Sequence, residues 1–288
     1  MEVFQNLTIQ LVLYEDKKET IFRCLDNFKN FKVIILDNSN NFKLKKEILK
    51  NYKIYKYILQ DRNLGYSKGH NKIAKLVDTE YLLILNADCI ITEENLSNLY
   101  LAHVKYKNCG ITAPTTFDDY NNLTLNGGFL PESGNRDEVI KIFGDTCFQT
   151  ILGSAMLIKK KDFLDIGMFN ENLFLFYSDD DLCRKIKREN KYIIQVFQSK
   201  CIHSHGISKV KNVFEKIYLR EHYFLLDKFH YYRKSDNHKN MMNEIIDKKN
   251  NYLIKIFFSF ITMKFKKVIY YFARYTAILK YNSFLKKN

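Results

Sequence analysis

Apolar and polar positions follow two different periods in the first third of the chain. Leu7 to Tyr14 and Lys32 to Asp37 are short apolar, β-branched runs, whereas Ile21, Phe22, Leu25 and Phe28 recur at helical spacing within Glu19 to Phe31. Strand, helix and strand in that order make a crossover unit and hence a parallel sheet. The pattern then predicts a helix over Phe42 to Asn51, a strand around Ile54–Leu59, a polar loop from Gln60 to Gly69 and a helix from about His70 to Val77. Tyr81-Leu82-Leu83-Ile84-Leu85 reads as a strand covered on both faces, and it stops at Asn86-Ala87-Asp88. After about residue 110 the periodicity loosens. Asn121 to Asn135 has the Asn- and Gly-rich composition of a long surface loop. Regularity returns with the apolar patch Ile151–Ile158 and a helix over Lys160–Ile166, and from about 213 the chain reads as mostly helical.

Polar clusters punctuate the predicted strand ends: Tyr14-Glu15, Asp37-Asn38-Ser39, Asn63 through Asn71, and Asn86-Ala87-Asp88. In a parallel sheet these ends converge on one edge, where α/β folds bind nucleotides. Asp37 is suited to accept hydrogen bonds from a pyrimidine or ribose, and Gly65 and Gly69 allow backbone to approach a ligand closely. Each cluster also reads as an ordinary turn. Asp88 either holds a divalent cation that in turn binds phosphate oxygens, or is a solvated turn or N-cap residue.

Composition narrows the class. With 288 residues and 46% hydrophobic content, the chain can bury a full α/β core plus an appendage. Its 46 Lys and Arg against 32 Asp and Glu give a net charge of +14, which suits an anionic partner; the low Pro and Trp counts (2 and 0) are also the signature of an AT-rich coding sequence. The six cysteines form no CxxC pair, consistent with a reducing compartment. Met1 to Asn6 lacks a secretory leader, and no segment reaches the roughly 18 apolar residues of a spanning helix. No zinc-finger or RNP-like motif supports nucleic acid as the anionic partner.

An ordered series of motifs is more diagnostic. Val12-Leu13-Tyr14, Ile34 to Ser39, Asn63-Leu64-Gly65-Tyr66 to Asn71 and Leu82 to Asp88 are followed by Leu152-Gly153-Ser154-Ala155, Ile166 to Glu171, Tyr177 to Arg184 and His203 to Ser208. Across about residues 7–210 the chain resembles an inverting family 2 glycosyltransferase of GT-A type, most nearly the rhamnosyltransferase-like bacterial branch. The resemblance implies a Rossmann-like, mostly parallel sheet flanked by helices. Together with the helical pattern of the last third, it divides the chain into a catalytic domain, about 1–225, and a basic, aromatic, helical extension, 226–288.

The same resemblance implies site roles. Asp88 becomes the last carboxylate of a DxD-like motif whose first position is Asn86, and His203 can complete a Mg²⁺ or Mn²⁺ site. Tyr14, Glu15, Asp37, Asn38, Asn63, Gly65, Asn71, Asn86 and Ala87 fall on the nucleotide-sugar side. Gly153, Ser154 and Asp181 fall on the side of the transferred sugar and acceptor. Asp179 aligns with the family's catalytic base and Ser178 with its usual Glu; a shift by one residue gives the role to Asp180. Read from the residues alone, Asp179-Asp180-Asp181 precedes a helix starting near Leu182. The three either complement its N-terminus or, by mutual repulsion, tune one carboxylate to accept a proton.

The expected chemistry is displacement of a nucleoside diphosphate from dTDP-rhamnose or a UDP-sugar by a surface-glycan or polyprenyl-diphosphate-linked acceptor. The expected setting is the cytoplasm, at the inner face of the membrane, with a homodimer as one possible assembly. In the tail, Tyr252 to Phe265 with Lys266-Lys267 suits either a helix in an anionic membrane interface or one packed on the domain or a partner subunit. Two rivals are a sugar-phosphate nucleotidyltransferase and a non-catalytic nucleotide-sugar-binding or membrane-adaptor protein. The first would need a Gly-rich, Arg-containing loop where this chain has Tyr14 to Lys18; donor turnover separates the second.

Overall fold

The computed structural model describes residues 5–133, 138–204, 212–233 and 238–287. The chain divides into two compact units, residues 1–170 with 178–209 and residues 171–177 with 210–288. The 225/226 division expected from sequence falls inside a continuous helix, Val213–Tyr232.

The first unit is built on strands β1 (Leu7–Leu13), β2 (Lys32–Asp37), β3 (Lys56–Leu59), β4 (Tyr81–Leu85), β5 (Cys89–Ile90), β6 (Cys109–Phe117), β7 (Gly127–Gly128), β8 (Thr146–Cys147), β9 (Thr150–Ile151), β10 (Ala155–Lys159) and β11 (Tyr192–His203). Among the described residues the main sheet has nine strands in the order β3-β2-β1-β4-β10-β6-β11-β5, with β8 on β11, while β7 and β9 pair separately. β1 runs parallel to β2 and β4, and β6 parallel to β11. β10 enters antiparallel to both β4 and β6, so the sheet is mixed but mostly parallel.

Period-two alternation sorts the core into two layers. Val33, Ile35, Leu83 and Leu85 join one cluster with Ile21, Leu25 and Leu96, whereas Ile34, Leu36, Leu82 and Ile84 join the other with Ile73, Leu182 and Ile186. Helices α1 (Lys18–Leu25), α2 (Phe42–Asn51) and α4 (Glu93–Lys105) therefore cover one face, and α3 (Gly65–Ala74) and α6 (Ser178–Arg188) the other. A short helix α5 (Lys160–Asp165) follows β10.

Three segments depart from the sequence reading. Helix α3 begins at Gly65, inside the expected loop, because side chains already satisfy its entry: Asn38 Oδ1 accepts from Leu64 N–H at 3.0 Å and Asn63 Oδ1 from Gly65 N–H at 2.8 Å. The three aspartates lie within the first turn of α6 rather than before it. In the Asn-rich segment, whose residues 134–137 lie outside the description, Gly127 and Gly128 are buried against β9. A Cβ on Gly127 would meet the Phe148 ring at 2.2 Å, so the glycine composition reflects close packing as well as turning.

The second unit consists of helices α7 (Val213–Tyr232), α8 (His238–Ile261) and α9 (Phe265–Lys287) together with residues 171–177. Leu225, Leu226, Phe229, Tyr252, Ala277, Ile278 and Tyr281 form its core. The buried Asp227 carboxylate holds the 171–177 segment by accepting the Phe174, Leu175 and Phe176 N–H groups at 3.0, 2.8 and 2.9 Å. Burial nevertheless pushes its pKa up to about 6. No helix among the described residues is long and apolar enough to cross a membrane.

Candidate active site

The turn after β4 carries Asn86, Ala87 and Asp88, and the two-residue strand β5 that follows pairs antiparallel with the end of β11, setting His203 opposite Cys89. The Ser204 N–H donates to the Asp88 carbonyl at 3.0 Å and closes this junction. His203 Nε2 consequently lies 3.3 Å from Asp88 Oδ1. Two ligands at right angles on a cation with bonds near 2.1 Å are separated by about 3 Å, so the pair fits a small divalent ion. Cys89 Sγ lies in the same cluster, with all three ligand atoms within 4.8 Å. Its thiol is buried, faces the Ser154 carbonyl at 3.4 Å and is held well above its ordinary pKa by burial. It therefore keeps its proton and is a poor ligand for a hard ion. His205, Gly206 and Ser208 of the same motif lie outside the described residues.

A second carboxylate centre stands at the start of α6. Asp180 has no exposed surface and accepts from Thr150 Oγ1 at 2.8 Å. Asp181 is buried against Arg184, 2.8 Å away, and Lys185, 3.4 Å away. Asp179 is partly exposed, and its oxygens accept the Gly153 N–H at 3.0 Å and the Asp180 N–H at 3.1 Å. Tyr66 donates to the Gly153 carbonyl at 2.6 Å, and Ser67 and Ser178 are hydrogen bonded at 2.7 Å, so α3 braces this turn at two points.

Gly153-Ser154 links the two centres. While Gly153 N–H holds Asp179, the carbonyl of the following residue, Ser154, accepts the Asn86 N–H at 2.8 Å as well as the Cys89 thiol. The break between β9 and β10 thus touches both the cation turn and the helix carrying the candidate base.

At the ends of β1 and β2, Tyr14 is half-buried and Glu15 is exposed with a left-handed φ of 53°. Asp37 has no accessible surface: Ser39 N–H, Asn41 N–H and the Tyr57 hydroxyl donate to it at 2.7, 3.3 and 3.1 Å. In this conformation it organises the turn rather than presenting an acceptor. Asn38 and Asn63 cap the entry to α3, and Gly65 needs its φ of +77° there. Gly69 faces protein instead of a ligand, since a Cβ on it would lie 2.9 Å from the Val12 methyls. Asn71 is likewise buried, its amide exchanging two 3.0 Å hydrogen bonds with the Phe169 backbone across 98 residues.

Sequence reasoning missed Asp16. The turn at Glu15 brings the Asp16 carboxylate back to accept the Tyr14 N–H at 2.8 Å. Burial, reinforced by the carboxylates of Asp88, Asp37 and Glu15, pushes its pKa up to about 7. The only hint in sequence is a second acid beside Glu15, and charge alone does not say which of two neighbours turns inward.

Known glycosyltransferases are similar to this chain over most of its length. A hexosyltransferase of low-salt glycan biosynthesis, Agl10 of Haloferax volcanii, is 24% identical over 233 residues, covering 75% of this chain and 72% of that protein. The dTDP-rhamnosyl transferase RfbF of Shigella flexneri is 23% identical over 213 residues, covering 72% and 71%. The solved structure of GalNAc-T7 with UDP, GalNAc and Mn²⁺ superposes with a TM-score of 0.59 at 14% identity, over 80% of this chain and half of that one. At that identity the likeness establishes the fold, which is GT-A. Residues 15–162, just over half of the 288, match the sequence profile of Glycosyl transferase family 2, and the chain belongs to that family of glycosyltransferases.

Proposed function

We propose that this glycosyltransferase moves a sugar with inversion from a nucleoside-diphosphate donor, dTDP-rhamnose or a UDP-sugar, to a surface-glycan or polyprenyl-diphosphate-linked acceptor. The names of its relatives, which include a dTDP-rhamnosyl transferase, support the donor class. The observation that carries the reading is that Gly153-Ser154 joins the Asp88 turn to Asp179, which is partly exposed where its helix-start neighbours Asp180 and Asp181 are buried.

Asp179 is the base. Its carboxylate takes the proton of the acceptor hydroxyl, whose oxygen bonds to the anomeric carbon as the bond to the diphosphate breaks and its electron pair leaves with the diphosphate. Gly153 N–H orients the carboxylate for that transfer. Asp88 and His203 would hold Mg²⁺ or Mn²⁺, whose charge offsets that of the departing diphosphate. The nucleoside end belongs at the carboxyl ends of β1 and β2, where Tyr14 and Glu15 have accessible surface.

The experiment is a panel of dTDP- and UDP-sugars with Mn²⁺ or Mg²⁺ and a lipid-linked acceptor, with the product anomer assigned by NMR. One donor turned over with inverted configuration is the expected result. Retained configuration, or binding of every donor without turnover, would contradict the reading.

A further inference from the structure

Helices α8 and α9 form a hairpin whose core ends well short of its turn. Tyr252 on α8 and Tyr271 on α9, with ring centroids 6.1 Å apart, belong to the edge of the buried cluster of the second unit. Between these tyrosines every residue from 253 to 267 is exposed except Ile256 and Ser259. The α8 arm therefore projects about 13 Å beyond Tyr252 at 1.5 Å per residue. Phe257, Phe258, Phe260 and Ile261 remain 59–63% exposed, and Met263 is 73% exposed. Single exposed apolar residues are ordinary on a protein surface, but a contiguous aromatic tip is not.

The turn itself adds an independent observation. Met263 N–H donates to Phe260 O at 3.0 Å and Lys264 N–H to Ser259 O at 2.9 Å, the two bonds of a Schellman ending. That ending places Met263 in the left-handed region, with φ 53°, where glycine or asparagine is the low-strain choice. Here the position carries a long apolar side chain that is largely exposed, an arrangement unfavourable in water on both counts. Lys255, Lys264, Lys266 and Lys267 border the tip, and none ion-pairs with an acid among the described residues. From Lys248 to the last residue the chain has ten Lys or Arg and no Asp or Glu.

We infer that the α8–α9 tip inserts its Phe257–Phe265 apolar side chains into the headgroup and acyl boundary of a membrane containing anionic lipids, with the four lysines contacting the headgroups. Such an insertion, about 5–10 Å deep, is shallower than the roughly 13 Å of exposed arm, so the tip can enter the boundary while the Tyr252–Tyr271 end of the hairpin stays outside it. The charge selects the occupant: a second copy of this chain would bring an equally cationic tip into contact with the first. This inference does not depend on the sugar-transfer reading, because membrane contact is measured without turnover.

The test is flotation of the full-length protein with phosphatidylglycerol/phosphatidylcholine vesicles and with phosphatidylcholine vesicles. Two variants accompany it, Phe257→Ser/Phe260→Ser/Met263→Gly and Lys264→Gln/Lys266→Gln/Lys267→Gln, each checked for a cooperative melt. Met263→Gly relieves the left-handed φ, which helps the first variant to fold. The native chain is expected to float with anionic vesicles and to weaken as salt rises. Removing three lysines should cost on the order of 100-fold in binding at low salt. The apolar variant should lose salt-resistant binding. Equal flotation of all three proteins, or none by any, would overturn the inference. So would a concentration-dependent dimer, seen by light scattering, that both variants abolish.

Discussion

The Gly153 N–H donates to Asp179 Oδ2 at 3.0 Å, so a loop between two strands, and not helix α6 alone, sets the direction of the candidate base. A Cβ at Gly153 would lie 2.7 Å from the Tyr66 hydroxyl and 3.4 Å from Asp179 Cβ. Gly153→Ala should therefore displace Tyr66 and the turn together, lowering kcat by about 100-fold, as expected of a displacement near 1 Å. Adding Tyr66→Phe removes the clashing oxygen and should restore part of that loss. Steady-state kinetics of the single and double variants provide the check, and an unaffected Gly153→Ala enzyme would refute this role for the loop.

The neighbouring aspartates should separate by phenotype. Asp179→Asn is expected to lower turnover by roughly 10²–10⁴-fold while leaving donor binding and melting temperature close to native. Asp180→Ala leaves the buried Thr150 hydroxyl without its acceptor and should lower stability by about 1–3 kcal/mol. Denaturant titration and single-turnover assays distinguish the two; full activity in Asp179→Asn would assign the base elsewhere.

Asp16 predicts a pH dependence of stability. Its pKa rises from 3.8 to about 7 in the folded chain, chiefly through burial. Between these values the native state binds the proton and the unfolded state does not, so stability falls as pH rises from about 4 to about 7 and levels off above. Asp16→Asn keeps an acceptor for Tyr14 N–H but cannot ionise. Its melting temperature should exceed the native value by a margin that grows across this pH range and then stays constant. A margin independent of pH would show that Asp16 does not titrate there.

The parallel half of the sheet was legible because β1, β2 and β4 alternate cleanly between two helical layers. β6 and β11 were not, and Pro114 gives one reason. Proline has no N–H to continue a ladder, and the register of β11 on β6 jumps from Val196 opposite Pro114 to Lys200 opposite Thr115. That irregularity breaks the period a sequence reading depends on. The approach of His203 to Asp88 rests on β5, a strand of two residues that no periodicity reveals. Asn71 and Gly69 stand in a motif read as ligand-facing, yet one ties down Phe169 and the other lets α3 approach Val12. A motif records that a residue type is required at a position and leaves open which neighbour requires it.

Asp88 and His203, 3.3 Å apart, are the proposed cation-holding pair. Isothermal titration of UDP and of dTDP, each with and without Mn²⁺, into the native protein, Asp88→Ala and His203→Ala tests that role most directly. The native protein should bind one of the nucleotides only when Mn²⁺ is present, Asp88→Ala should lose that binding, and His203→Ala should weaken it, all three with native-like melts. Nucleotide affinity that is the same with and without Mn²⁺, and unchanged in Asp88→Ala, would contradict it.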